Sequence, residues 1–410
     1  MIHFPPPLMT SEPGSFARAT IVERKPQIIR QVIQENAGTE HPAGTEHPAG
    51  TEHPAYPPEI VSALEAFRDE IASRPMQPLQ ESAPDVPGWN DILATYAGKT
   101  WLEVPWYFAE VFFYRKLLEA TRYFQSEEKR NPFQKQKERQ MAGDIQRLAG
   151  EWEQFSTLER GPLFEALLHS CLWGNRTDLS NFTVKETGRG GLAAQAERHF
   201  ILIDHTERIR DILLKGVQRV DFINDNVGSD LTFDLAFADF LQRQEWASEI
   251  HLHLKNQPFF VSDAMPSDVL RTILLLKAAP SAAMSALGMR LEADLAAGRL
   301  ILHTDPFWTG WLMFRQMPPH LLEQFALADL VLLKGDVNYR RLLDDLHWPH
   351  DTRMEAVTGY FPAPFATLRT LKGEIMVGLR PGQAETLQAE DPTWLINGKR
   401  GVIQFVDQSL

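Results

Sequence analysis

Residues 219–235 read RVDFINDNVGSDLTFDL. A short apolar string of strand length breaks at Gly228 and passes into the helical segment LTFDLAFADFLQRQ. Strand, tight turn and helix make half of a parallel crossover unit, and the pattern recurs along the second half of the chain. HFILIDH from His199, EIHLHL from Glu249, PFFVS from Pro258, RLILH from Arg299, DLVLLKG from Asp329 and EIMVGL from Glu374 are further candidate strands. Most are near-continuous apolar strings rather than alternating ones, as expected for parallel strands covered on both faces. The segments between them, including SDVLRTILLLKAA, ALGMRLEADLAAG and PPHLLEQFAL, carry helical periodicity. The expected fold is therefore α/β: a layered, mainly parallel open sheet with helices between its strands over residues 191–410.

Upstream the texture is helical. Ile28, Ile29, Val32 and Ile33 share one helical face, as do Ile60, Leu64 and Phe67 in PPEIVSALEAFRDEIAS. Between Trp101 and Phe124 aromatic residues occupy nearly all sides, the mark of a helix buried among other elements. Residues 1–190 are read as a helical N-terminal region. Within it, residues 37–54 repeat AGTEHP three times. A proline in every unit forbids a continuous helix or an inner strand, so this segment is expected to be a flexible loop, its three histidines the product of tandem duplication rather than a metal site.

The chain has 410 residues, room for two or three domains or for one large core with an appended subdomain. Its 41 Lys+Arg against 54 Asp+Glu give a net charge of −13, which offers no broad cationic surface to phosphate backbones or anionic lipid. Nucleic acid and membrane are not expected partners. The single cysteine, Cys171, excludes an intrachain disulfide framework and fits a reducing compartment. The opening MIHFPPPLMTSEPGSFARAT is broken by prolines where a signal peptide needs an apolar stretch, so the expected location is cytoplasmic.

Three carboxylates follow predicted strands: Asp225, with Asn226, after VDFIN; Asp263 after PFFVS; and Asp336 after DLVLLKG. Open α/β sheets bind ligands at that rim, although a single Asp in such a place is as readily a helix cap or turn residue. Asp225, Asn226 and Asp263 would make an incomplete all-oxygen shell suited to Mg²⁺ or Mn²⁺, while DN-x-G is also a common turn signal. Gly228 permits close backbone approach, and the amides of the following helix could hold an anion. LLKGDVNYRRLLDD, from Leu332, groups Asp336, Asn338, Tyr339 and Arg340 into either a polar substrate wall or a solvated helix start. Lys372 is placed to meet a phosphoryl group and Arg369 to brace the loop through carbonyl contacts. Arg315 and Arg340 are weaker candidates. His251 and His253 lie on one side of their strand without a third imidazole or cysteine, and are read as packing or supporting residues. No P-loop, no G-x-S-x-G and no G-x-G-x-x-G after a strand occurs.

TWLEVPWYFAEVFFYRKLLE, LWGNRTDLS, DFINDNVGSDL, FFVSDAMPSD, LLKGDVNYRRL and LRTLK together resemble, in that order, the damage-control phosphatase family, specifically its subfamily III with the acidic-residue methyltransferase-like metal-binding domain. The resemblance runs from about residue 21 to 405, interrupted by the AGTEHP insert. It implies a helical N-terminal domain on a Rossmann-like α/β/α sandwich with a mainly parallel sheet, and a divalent-metal-dependent phosphatase (Mn²⁺, Mg²⁺, Co²⁺ or Ni²⁺) acting on small phosphometabolites, sugar phosphates such as fructose 1-phosphate or fructose 6-phosphate among them. By matching motif, Asp225, Asn226 and Asp263 look like metal ligands, with Asp225, Asp263 and Lys372 as the catalytic set. Asp336, Val337, Asn338, Tyr339 and Arg340 resemble the substrate-contacting segment, and Arg369 and Lys372 belong to R-T-x-K. Asn175 and Asp178 are similar to a block that edges the pocket. The sequence departs from the family in carrying Asp230 where Glu is usual. Two other readings are an S-adenosylmethionine-dependent protein carboxyl methyltransferase and a noncatalytic sugar-phosphate-binding protein.

Overall fold

The computed structural model describes residues 3–37, 54–155, 157–174 and 198–408. Most of the AGTEHP repeat, Asn175 and Asp178 lie outside the described residues. The chain forms two compact units, Pro7–Gln136 with Pro258–Val261, and Met1–Pro6 with Lys137–Gln257 and Ser262–Leu410. The division falls earlier than the change of texture near residue 190. Helical residues beyond Lys137 carry apolar side chains such as Met141, Leu148, Phe164 and Leu168, which are buried in the same cluster as the strands.

The smaller unit is helical: α1 (Lys25–Asn36), α2 (Pro58–Ser73), α3 (Val86–Ala94) and α4 (Trp106–Ala120). Every residue of α4 from Trp106 to Leu118 is buried, which explains its aromatic content on all sides. Such burial leaves charges needing partners, and Lys25 pairs with Glu110 at 2.9 Å. PFFVS is not a strand. Phe259 and Phe260 belong to this unit, where their rings lie 6.1 and 4.7 Å from that of Tyr114, so their apolarity serves packing rather than strand pairing.

The larger unit contains α5 (Gln134–Phe155, which enters it at Lys137) and α6 (Arg160–Trp173), followed by the sheet and its connections. These are β1 (Ile201–Asp204), α7 (Thr206–Leu213), β2 (Val217–Ile223), α8 (Ser229–Arg243), β3 (Ala247–Leu254), α9 (Pro266–Lys277), α10 (Ala282–Ala296), β4 (Leu300–Thr304), α11 (Pro319–Phe325), β5 (Leu330–Lys334), α12 (Gly335–Leu342), α13 (Met354–Thr358), β6 (Phe365–Thr370), α14 (Gln383–Glu390) and β7 (Gly401–Val406). The seven-stranded sheet has the order β1-β7-β6-β5-β2-β3-β4. Strands β2 to β6 are mutually parallel. β7 runs antiparallel to β6 and pairs parallel with β1 at the edge.

The mainly parallel α/β sheet expected from the apolar strings is therefore present, with two local differences. EIMVGL is not a strand of the sheet, because its backbone bonds elsewhere: Val377 N donates to Tyr339 Oη at 3.2 Å, Gly378 N to Thr352 O at 2.8 Å and Leu379 N to His350 O at 2.9 Å. GVIQFV, which the sequence reading passed over, supplies β7.

Strands covered on both faces divide their side chains by alternation. Val220, Phe222, Ile250, Leu252, Leu330 and Leu332 join the large cluster that includes α6, α8 and α10. On the opposite face His253 packs against Phe325 and Trp308. The chain winds from β2 through β3 to β4, crosses to β5 on the other side of β2, and continues to β6. Reversal of direction between β2 and β5 opens a crevice at their carboxyl ends, the switch point where open α/β sheets receive ligands. Lys334, the last residue of β5, reaches Asp234 of α8 at 2.8 Å, both fully buried, and also donates to the carbonyl of Cys171. Asp234→Ala leaves that ammonium without its carboxylate and should cost about 3–5 kcal/mol in urea unfolding, whereas Asp234→Leu with Lys334→Met should recover most of the loss.

Candidate active site

Two loops meet at the switch point. After β2 the backbone of Asp225–Val227 is stitched to Ser262–Ala264: Val227 N donates to Ser262 O at 2.7 Å and Ala264 N to Asp225 O at 2.8 Å, with an isolated antiparallel bridge between Asn226 and Asp263. Asp263 thus reaches the site from the loop after β3, not from a strand of its own. The bridge joins Asn226 and Asp263, residues 37 apart in the chain, and sets them beside Asp225.

The side chains form a charged knot. Asn226 Nδ2 donates to Asp225 Oδ2 at 2.7 Å and to Asp230 Oδ2 at 3.0 Å, and its Oδ1 accepts from Ser262 Oγ at 2.6 Å. Asp230, one methylene shorter than a glutamate, reaches Asn226 from the first turn of α8. Burial, followed by the negative charges of Asp263 and Asp230, pushes the Asp225 carboxyl well above the usual carboxylate range, against the pull of Lys255 and Lys372. Burial likewise raises Asp263, opposed first by Lys255 and then by Lys137 and Arg341. Asp263 is 2% exposed. The nearest cation is Lys255 Nζ at 3.2 Å, which also donates to Asn224 O at 3.0 Å. Lys137 Nζ holds the Asp263 carbonyl at 2.6 Å and Asp268 Oδ2 at 2.8 Å.

Two glycines make this approach possible. Gly335, at φ 83°, starts α12 directly against the Asp225 carboxylate, which any Cβ there would overlap. Gly228, at φ 76°, starts α8 where a Cβ would overlap Asp144. The Asp144 carboxylate takes the Ser229 amide at 2.8 Å and its hydroxyl at 2.6 Å. Contrary to the expectation of an open anion site there, the chain's own carboxylate caps the amide at the start of α8.

From β5 and β6 comes a brace. Arg369, fully buried, donates to Asp336 Oδ1 at 2.7 Å, to Gly373 O at 3.0 Å and to Ile375 O, and stacks on Tyr339 with 4.2 Å from its guanidinium carbon to the ring centroid. This is the carbonyl bracing expected of it. Lys372 N donates to the same Asp336 oxygen at 3.2 Å, placing Lys372 at the carboxyl end of β6, half-buried, with its charge felt at Asp225. Gly335, Asp336 and Val337 are half-buried, while Asn338, Tyr339 and Arg340 turn inward. Asn338 Nδ2 donates to Lys334 O at 2.8 Å, Tyr339 Oη accepts from Val377 N, and Arg340 grips Asp345 at 2.7 and 3.0 Å. His253 pairs with Asp221 at 2.8 Å on the other face of the sheet. Among the described residues no three His, Cys, Asp or Glu side chains form a metal-ligand cluster.

Sequence reasoning missed Lys255, Lys137, Asp144 and Gly335. A lysine closing the apolar strand HLHLK and a glycine directly after LVLLK were the available signals. Lys137 and Asp144 gave none, since both lie on an ordinary polar helix.

Residues 20–387 match the family model of the damage-control phosphatase ARMT1-like domain. The chain is 33% identical over 437 residues to damage-control phosphatase ARMT1 of Mus musculus, covering 99% of each. It is 32% identical over 435 residues to that of Homo sapiens, covering 98% of each. A DUF89 family protein of Pyrococcus horikoshii superposes with a TM-score of 0.48 at 13% identity, over 95% of this chain and 96% of that one.

Gly335→Ala should destabilise the protein by more than Gly382→Ala. Both sites have positive φ, which costs about 1–2 kcal/mol for a residue with a Cβ, but only at Gly335 does the Cβ meet another group. Equal shifts in thermal unfolding would remove the close approach to Asp225 from the account.

Proposed function

With the chain a member of the damage-control phosphatase ARMT1-like family, we propose that it hydrolyses small phosphometabolites in a divalent-metal-dependent reaction, with sugar phosphates such as fructose 1-phosphate or fructose 6-phosphate as substrates. The observation that carries this reading is the gathering of Asp225, Asn226 and Asp263 by one bridge at the switch point, with Lys372 just beyond the end of β6 and near enough for its charge to act on Asp225. The donor set fits a hard dication: the half-buried Asp225 and the buried Asp263 carboxylates, both raised in pKa, offer hard oxygen atoms side by side. Asn226 joins them when its amide is turned to present Oδ1. A dication held there, Mn²⁺, Mg²⁺, Co²⁺ or Ni²⁺, supplies positive charge to the phosphoryl oxygens.

The chain's own groups do the rest. A phosphate monoester carries about two negative charges near pH 7, so its hydrolysis depends on positioning and neutralisation. The Lys372 ammonium meets one phosphoryl oxygen, held at its station by the bond from its amide to Asp336 and by the Arg369 brace behind it. Asp225 or Asp263 orients the attacking water in line with the leaving oxygen. Asp336 and Val337, half-buried beside Lys372, are the members of the 336–340 segment placed to touch the substrate. Asn338, Tyr339 and Arg340 hold that segment rigid from behind.

After chelation the protein should release no phosphate from a sugar-phosphate panel, and re-addition of individual metals should restore turnover. Asp225→Ala and Asp263→Ala should abolish it while the circular dichroism spectrum stays native. Turnover that survives chelation, or full activity in either folded variant, would sink the assignment. Lys372→Ala should lower kcat by roughly 10²–10³-fold, the cost of losing one transition-state donor.

A further inference from the structure

Lys255 has no part in the reaction just described, yet it is the cation closest to the carboxylates. Its side chain is 3% exposed and it ends β3 facing the β2 loop, with Nζ 3.2 Å from Asp263 Oδ2 and 3.0 Å from Asn224 O. Its charge acts on both Asp225 and Asp263. A buried ammonium is tolerated only against negative charge, and buried carboxylates crowded together are tolerated only against positive charge. Lys137 is committed elsewhere, to Asp268 and the Asp263 carbonyl. Lys372 is half-buried and lies just beyond β6. The contact between Lys255 Nζ and Asp263 Oδ2 is an ion pair at 3.2 Å between two buried side chains.

We propose that Lys255 is the resident counter-ion of the carboxylate site: it holds Asp225 and Asp263 together when no dication is bound, and it weakens the affinity for the dication that joins it. Resting on the metal reading above, this assigns Lys255 a role in setting how readily the metal exchanges. Both consequences follow from Coulomb's law. Removing the ammonium leaves the metal-free carboxylates repelling one another, while a dication entering the same site no longer meets a fixed positive charge a few ångströms away. Lys255 is thus a positioning residue, and its signature lies in stability and binding rather than in turnover alone.

The test is to measure thermal unfolding of the metal-free protein, and Mn²⁺ binding by isothermal titration and by electron paramagnetic resonance of free Mn²⁺. Wild type, Lys255→Met, Lys255→Gln and Lys255→Arg are compared. For the neutral variants the expected result is a fall of roughly 5–10 °C in the metal-free Tm, a Mn²⁺ Kd tighter by about tenfold or more, and hence a larger rise in Tm on adding Mn²⁺. Lys255→Arg, which keeps the charge, should stay within about threefold of wild type in Kd. Should Lys255→Met fail to fold without metal, recovery on refolding with Mn²⁺ supports the proposal, and Lys255→Gln, which can still hydrogen-bond Asn224 O, supplies the numbers. Unchanged or weaker Mn²⁺ binding in the folded neutral variants, or an unchanged metal-free Tm, overturns it. If wild type binds no Mn²⁺, or binds it equally well as Asp225→Ala, the metal reading itself fails and the proposal falls with it. The two failures are told apart by the wild-type titration.

Discussion

Asp225, Asp230 and Asp263 stand together at the end of a buried parallel strand, and keeping like charges close in a low-dielectric place is the constraint on which the rest of the site depends. With Asp230 and Asp263 buried and Asp225 half-buried, water screens them weakly, and the chain does so with fixed groups. Asn226 does it by placing one amide between Asp225 and Asp230, and Lys255 by setting an ammonium against Asp263. Burial first, and then the charges of Asp263 and Asp230, still push the Asp225 carboxyl upward. A site short of positive charge is suited to a cationic guest and, with it, to an anionic substrate.

The fold supplies the means. Reversal of winding between β2 and β5 leaves their carboxyl ends free of a crossing helix, and the loops after β2 and β3 are locked to each other by backbone bonds rather than by side chains alone. Behind them, Lys334 ties β5 to α8 and to the carbonyl of Cys171, while Arg369 ties β6 to Asp336 and to the loop that follows. Each buried basic residue at this rim is matched to a carboxylate or to carbonyls. Lys372, just beyond β6, is by contrast only half-buried.

What the sequence disclosed, and what it withheld, has physical causes. The strand strings around β2, β3, β4 and β5 were legible because burial on both faces demands uninterrupted apolar residues, a signal that needs no partner to be read. PFFVS and EIMVGL give the same signal for a different reason: one packs aromatic rings on Tyr114, the other hands its backbone groups to Tyr339, Thr352 and His350. Apolarity marks burial, and only pairing makes a strand. In the same way Asp225 and Asn226 could be located by their place after a strand, whereas Asp144 and Lys137 act from a helix far away in sequence and are recognisable only once the chain has brought them in. The inward turn of Asn338, Tyr339 and Arg340 was hidden too, because a polar residue reads alike whether it faces solvent or braces a buried carbonyl.

The claim that most else rests on is that Asp225, Asn226 and Asp263 seat one divalent cation. Anomalous diffraction from a crystal grown with manganese tests it most directly. The account predicts a single strong peak within coordination distance of the Asp225 and Asp263 carboxylates and of Asn226 Oδ1, on the Lys372 side of the crevice. A map empty at that position, or manganese bound only elsewhere on the protein, would contradict it.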